Sequence, residues 1–250
     1  MREQLSVFFT ALTFFTRIPC PKWVTYSEDF LNRSAIYFPL VGCVVGAITA
    51  LAFRLGIMFL PLSVALALSM AVSLLLTGAF HEDGWADVCD GFGGGWNRQD
   101  ILRIMKDSRI GVYGTIGLIV MLGLKFLSLY EMETRLIPYA LISGHSMSRF
   151  VSSSFLYTHV YVQEDDVSKS KPLATRMSRK GLAVAAFFGI APLMLLQDAV
   201  YVLVLIPLVL FKWGIGKYFV KWIGGYTGDC LGAVQQFSEV LFYLFIILVS

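Results

Sequence analysis

Four acids fall within nine residues of the run His81-Glu82-Asp83-Gly84-Trp85-Ala86-Asp87-Val88-Cys89-Asp90-Gly91. In a helix, Asp83, Asp87 and Asp90 stand at i, i+4 and i+7, inside an arc of about 60° at 100° per residue, so they share one face. Like charges at that spacing destabilise a bare helix by roughly a few tenths of a kcal/mol per pair, and by more at the edge of a low-dielectric membrane. A bound cation removes that cost. Carboxylate oxygens with no Cys or His cluster beside them suit a hard ion, and Mg²⁺ held by a few carboxylates plus substrate phosphates is the common arrangement in phosphoryl transfer. The spacing therefore points to Asp83, Asp87 and Asp90 as Mg²⁺ ligands. His81, alone at a hydrophobic boundary, reads as an interfacial hydrogen-bonding group.

Downstream, Gly93-Gly94-Gly95 reads as a flexible break, or as a place where backbone amides approach a phosphate. The chain then runs from Asn97 to Gly111 as an apolar and charged alternation, an amphipathic interfacial helix carrying Arg98, Arg103, Lys106 and Arg109. Acids holding a metal on one side and cations on the other form the charge layout that a diphosphate needs. Elsewhere, His145, Arg149 and Ser152 fall at i, i+4 and i+7 inside an apolar run, where a charge is costly enough to be functional by default. Lys125 is placed similarly, near enough to an end to snorkel. The turn from Gly224 to Gly232 is glycine-rich with one acid, Asp229, and offers a second wall for a nucleotide or sugar. The candidates for phosphate contact are Lys106, Arg109, Arg149, Arg98, Lys125 and Thr227.

The elements that must position these groups are membrane helices. Of 250 residues, 57% are apolar and 15% charged, against roughly a quarter charged in an ordinary globular domain. Mean hydropathy is +0.71. Twenty basic and 17 acidic residues leave a net charge of +3, which excludes a disordered polyelectrolyte and a strongly basic nucleic-acid binder. Cys20, Cys43, Cys89 and Cys230 are far apart and read as reduced thiols rather than a disulfide framework or zinc site. Seven runs are long and apolar enough to span: 35–60, 62–80, 110–130, 136–158, 181–197, 199–216 and 232–249. The fifth and sixth, separated only by Asp198, suggest a tight helical hairpin. Pro39, Pro192 and Pro207 are positioned to kink their runs. Before them, Phe8 to Phe15 is apolar but stopped by Arg17, Pro19 and Pro21, which suggests an N-terminal interfacial or re-entrant helix. With no internal repeat, the expected fold is all-α, a polytopic membrane helix bundle of about seven transmembrane helices forming a single domain over 1–250. Sixteen of the 20 basic residues, Lys169 and Lys171 among them, collect on one side of that arrangement, so the N-terminus and the polar loops are expected in the cytoplasm.

The acidic run, followed by Ile104-Met105-Lys106-Asp107-Ser108-Arg109-Ile110-Gly111, resembles the HxDGxADxxDG and IM(K/R)DSRxG motifs of the cobalamin synthase family, the adenosylcobinamide-GDP ribazoletransferases. Phe15-Thr16-Arg17-Ile18-Pro19, Phe38-Pro39-Leu40-Val41-Gly42, Ser148-Arg149 and Gly224-Gly225-Tyr226-Thr227-Gly228-Asp229 match the same pattern in the same order. The first six residues and 158–179 match nothing in it. The resemblance implies that α-ribazole or its 5′-phosphate displaces GMP from adenosylcobinamide-GDP, giving adenosylcobalamin or its 5′-phosphate, with Mg²⁺, at the last assembly stage of the coenzyme. It implies a bacterial or archaeal cytoplasmic membrane and a lipid bilayer around the chain, with no nucleic-acid partner. A homo-oligomer is compatible with it. On this reading Asp83, Asp87 and Asp90 hold the metal, Asp107 or Asp229 takes the hydroxyl proton, and Lys106, Arg109 and Arg149, with Arg98, neutralise phosphate oxygens. Two rivals are weaker. A CDP-alcohol phosphotransferase would continue Asp87-Val88-Cys89-Asp90-Gly91 into an Ala-Arg that is missing here. A transporter would line its pathway with Lys125, Arg149 and Glu239, but inverted repeats are absent.

Overall fold

A computed structural model describes residues 2–24, 27–162 and 176–250. Lys169 and Lys171, counted in the charge asymmetry, lie outside these residues. The elements are α1 (Arg2–Phe15), α2 (Glu28–Ser34), α3 (Phe38–Gly56), α4 (Leu62–Thr77), α5 (Phe80–Gly94), α6 (Arg98–Met105), α7 (Val112–Glu131), α8 (Ile137–Ser153), α9 (Phe155–Thr158), α10 (Arg179–Ile190), α11 (Leu205–Ile223) and α12 (Gly228–Val249). Three-residue-per-turn helix joins α2 to α3, extends α10 over Ala191–Leu196 and leads into α11 over Ala199–Val204. Among the described residues there is no strand, only an isolated bridge between Tyr161 and Tyr226.

Five helical stretches are long and apolar enough to cross a membrane: Asp29–Gly56, Val112–Glu131, Arg179–Leu196, Ala199–Ile223 and Gly228–Val249. A sixth arises if α4 and α5, bent by 88° at their junction, count as one broken span. The protein is thus an all-α membrane bundle, with fewer regular spans than the seven expected. Two local features account for the difference. The second run ends at Thr77, because Gly78 and Ala79 both adopt left-handed backbone conformations and redirect the chain. The fourth yields α8, only 17 residues long, with His145, Arg149 and several serines among its buried side chains. That composition suits a helix surrounded by protein rather than by lipid.

Pro39 is the second residue of α3 and Pro207 the third of α11, each at the change from three-residue-per-turn to α-helix. Pro192 begins the stretch where α10 tightens. The expected hairpin is present: Gln197 turns with positive φ, and the Asp198 carboxylate accepts from the Val200 N–H at 2.9 Å. α1 is 14 residues long, too short to span.

α8 is the central post, with α3 and α12 packed against it. α3 approaches through Gly42 and Gly46, one turn apart. A Cβ on Gly42 would lie 2.3 Å from the His145 carbonyl oxygen, and one on Gly46 would lie 2.6 Å from Ile142 Cα. This small-xxx-small contact lets two backbones meet where no hydrophobic effect drives helices together.

Candidate active site

The acidic helix α5 does not continue the second span; it leaves the bend at Gly78–Ala79 at nearly a right angle. Asp83 and Asp87 then line one hollow of about 390 Å³, together with Glu82, Gly78, Phe80 and, from the α6–α7 connection, Ser108 and Ile110. Asp83 is exposed and Asp87 half-buried. These two carboxylates are brought together at an open pocket, one helical turn apart.

Asp90 lies on the same stripe and is bonded to the backbone of another element. It is buried, and its carboxylate accepts from the backbone N–H of Gly111 at 2.7 Å and of Gly114 at 2.9 Å. It therefore caps α7 from a distance and pins the Ser108–Ile110 segment beside Asp83 and Asp87. Among the described residues, no three or more His, Cys, Asp or Glu side chains converge as a metal cage. The carboxylates at the open pocket are the Asp83 and Asp87 pair with Glu82 beside them. The glycines after Asp90 also differ from expectation: α5 stays helical to Gly94, and α6 folds back on it. A Cβ on Gly91 would lie 2.4 Å from Met105 Cγ, so these glycines serve helix packing, and the break comes at Gly95 to Asn97.

α6 has the expected two faces, with Ile101, Leu102 and Met105 buried and Arg98 and Arg103 exposed. Lys106 is exposed, just past its end. Asp107 is gripped by Arg109, whose Nη2 donates to Oδ2 at 2.7 Å and whose Nε donates to Oδ1 at 3.0 Å. These side-chain bonds, with the Arg109 backbone N–H, hold the Asp107 carboxyl down at about 2. A carboxylate so placed is a poor proton acceptor near neutral pH. Asp229, the other candidate, is the second residue of α12 and packs on the acidic helix: a Cβ on Gly84 would meet the Asp229 Cα at 3.0 Å. Thr227 is buried, and its hydroxyl caps α12 by accepting from the Cys230 N–H at 3.3 Å, so it is committed to the fold rather than to a phosphate.

Lys125 and Arg149 are not at the pocket. Lys125 does not snorkel; it is buried, with Nζ 3.1 Å from Glu239 Oε1 and donating to Gln236 Oε1 at 2.9 Å. Arg149 is buried one turn from His145 on α8 and donates to the His145 carbonyl at 2.9 Å. His145 Nδ1 lies 3.3 Å from Glu239 Oε2. The Gln235 amide bridges Ser148 and Glu239 at 2.9 and 2.6 Å, and the Tyr243 hydroxyl donates to Glu239 at 3.2 Å. A cavity of about 10 Å³, room for about one water, is lined in part by Glu82, Lys125, His145 and Glu239. Of the charges that a transporter would expose along a path, Lys125 and Glu239 are paired with each other and Arg149 is bonded to His145.

Two residues at the pocket carried no assignment from spacing. Glu82 lines both the acidic hollow and the inner cavity; its Oε1 accepts from Gln236 at 2.9 Å while the buried Oε2 has no hydrogen-bond partner among the described residues. Its neighbours in the acidic run hid it, because it falls off their common face. Arg17 lies against Gly78; its place in the Phe15-Thr16-Arg17-Ile18-Pro19 match is a signal, but a lone cation after an apolar run carries no role by spacing.

A family model described as cobalamin-5-phosphate synthase (CobS) matches residues 7–247. The chain is 48% identical to a curated protein of Shewanella frigidimarina named adenosylcobinamide-GDP ribazoletransferase, over 99% of this chain and 96% of the relative. It is 44% identical to one of the same name from Shewanella pealeana, over 100% and 97%, and 43% identical to that of Shewanella oneidensis, over 99% and 96%. No solved structure matches the chain.

Proposed function

The chain belongs to the cobalamin-5-phosphate synthase family, and from that premise we propose that it is an adenosylcobinamide-GDP ribazoletransferase whose site is the acidic hollow on α5. A ribose hydroxyl of α-ribazole, or of its 5′-phosphate, attacks the phosphorus next to cobinamide. The new P–O bond forms as the bond to GMP breaks, and the hydroxyl proton leaves. The products are adenosylcobalamin, or its 5′-phosphate, and GMP. The observation that carries this reading is the pair Asp83 and Asp87, opening into one pocket beside a segment that brings Lys106 and Arg109.

The pair fits Mg²⁺, an ion commonly held by one or two carboxylates plus substrate phosphates rather than by an all-protein cage. When bound there, Mg²⁺ supplies Lewis-acid neutralisation of the diphosphate and of the departing GMP. Asp83 and Asp87 would hold it. Asp90 keeps the Lys106–Arg109 segment in register with them, and Lys106 and Arg109, with Arg98 further out, neutralise phosphate oxygens. Asp229 takes the hydroxyl proton, since Asp107 is locked to Arg109. The charge asymmetry of the loops supports a cytoplasmic-membrane location with the pocket facing the cytoplasm, where nucleotide-activated substrates are made.

The test is direct. Purified protein is incubated with adenosylcobinamide-GDP, α-ribazole and Mg²⁺, and the corrinoid products and GMP are separated by chromatography. Cobalamin and GMP in equal amounts are expected; intact substrate with competent protein refutes the assignment.

A further inference from the structure

No lysine or arginine lines the hollow that presents Glu82, Asp83 and Asp87 among the described residues, although a diphosphate bound there brings several negative charges. Arg17 lies against Gly78 of its other wall, and three separate fixes put it there. Phe15, the last residue of α1, is wedged between Phe38 and Phe80 with ring centroids 4.1 and 5.6 Å away, and stacks on His81 at 5.7 Å. The Thr16 hydroxyl donates to the Leu12 carbonyl at 2.6 Å and accepts from the Ile18 N–H at 3.2 Å, which turns the chain. The Arg17 N–H then donates to the Leu76 carbonyl at 2.8 Å, tying the turn to the end of α4.

The side chain lies across the α4–α5 bend. A Cβ on Gly78 would stand 2.9 Å from Arg17 Nε and 3.3 Å from Nη2. Gly78 has φ +67°, so glycine there both permits the bend and vacates the space that the guanidinium uses. Gly78 and Phe80 belong to the wall of the acidic hollow. The guanidinium has no hydrogen-bond or ion-pair partner among the described residues, whereas Arg109 is held by Asp107 and Arg149 is buried in the bundle.

We propose that Arg17 binds phosphate oxygens of the diphosphate, gripping the nucleotide-activated substrate from the α4–α5 bend while Lys106 and Arg109 approach from the α6–α7 connection. The proposal rests on the transferase reading above. The planar guanidinium fork suits two oxygens at once, which a lysine at this position would not reproduce. A lipid phosphate offers the same chemistry, so the experiment separates the two sources.

Arg17→Gln and Arg17→Lys are compared with wild type in zwitterionic detergent, with Arg2→Gln, at the start of the helix that precedes Arg17, as an exposed control. Arg17→Gln is expected to raise the KM for adenosylcobinamide-GDP about tenfold or more, the scale of a lost charged hydrogen bond. The inhibition constant of inorganic pyrophosphate with Mg²⁺ should rise by the same factor, and the KM for α-ribazole should stay within about twofold. Arg17→Lys should fall between, with its thermal unfolding unchanged, and it decides the matter if the glutamine variant does not fold. Arg2→Gln should change nothing. Unaltered KM and pyrophosphate inhibition in both variants overturns the proposal, as does an effect confined to vesicles containing anionic lipid. Wild-type protein that turns over no adenosylcobinamide-GDP sinks the transferase reading instead; pyrophosphate binding by calorimetry then still reports on Arg17.

Discussion

Glu239 is the carboxylate on which the interior of the bundle is organised, and removing its charge tests that organisation. It is 1% exposed, with Lys125 at 3.1 Å and His145 at 3.3 Å, and accepts from Gln235 and Tyr243. Glu239→Gln keeps the shape and most of the hydrogen bonding but leaves Lys125 opposite a neutral group. Breaking a buried pair from one side costs about 3–5 kcal/mol, because the remaining charge stays in a low-dielectric interior. Lys125→Met leaves the carboxylate similarly exposed to that penalty. Each single variant is therefore expected to lose about 3 kcal/mol, which for a chain of this size lowers the Tm by roughly 6–12 °C. The double variant removes both charges and should lose far less than the sum, with a coupling energy of about 2 kcal/mol or more. Thermal and denaturant unfolding in detergent, followed by circular dichroism, reads all four corners of the cycle. Single variants within about 0.5 kcal/mol of wild type, or strictly additive losses, would show that Lys125 and Glu239 are not a working pair.

The other expectations concern the pocket. Asp87→Asn and Asp83→Asn should each lower turnover on the order of 10³-fold with unfolding unchanged, the scale of losing one electrostatic stabiliser of the reacting group; Mg²⁺ titration should require higher concentrations in both, and retained activity contradicts the assignment. Asp90→Asn should instead cost about 2–3 kcal/mol of stability, through its two bonds to the Gly111 and Gly114 amides. Hydrogen exchange at those amides should quicken while Mg²⁺ affinity is kept, and the reverse pattern would make Asp90 a ligand. Arg109 holds the Asp107 carboxyl at about 2 against an ordinary 3.8. The charged pair therefore contributes stability above pH 3.8 that is lost as the pH falls through about 2, and its contact with solvent keeps that contribution small. Activity above pH 4 should consequently keep its acid limb in Asp107→Asn, whereas Asp229→Asn should alter it. Gly42→Ala places a methyl 2.3 Å from the His145 carbonyl oxygen and should destabilise by about 3 kcal/mol, measured in the same unfolding assay; wild-type stability would mean α3 and α8 do not meet there.

The acidic stripe was legible in sequence because helical periodicity alone decides that Asp83, Asp87 and Asp90 share a face. What each carboxylate does was not legible. The amides that occupy Asp90 come from Gly111 and Gly114, more than 20 positions away, and only the packing of α7 against α5 brings them there. The 88° bend is half visible: Gly78 is a reasonable place to stop a helix, but nothing about Ala79 announces a left-handed backbone. The intramembrane charges show the same limit more sharply. Lys125, Arg149 and Glu239 each stand out as costly in an apolar run, and weighing them singly sends the two cations to the phosphates. The contacts of Glu239 with Lys125 and with His145, to which Arg149 is bonded, depend on the relative register of α7, α8 and α12, which no single helix encodes. Lys125 and Arg149 share the interior with Glu239 and Glu82, and the Gln236 amide joins Lys125 to Glu82 at the rear of the pocket. The buried network thus reaches the acidic hollow through Glu82 alone among the hollow's lining residues, and the phosphate-binding cations must come from the polar segments around it.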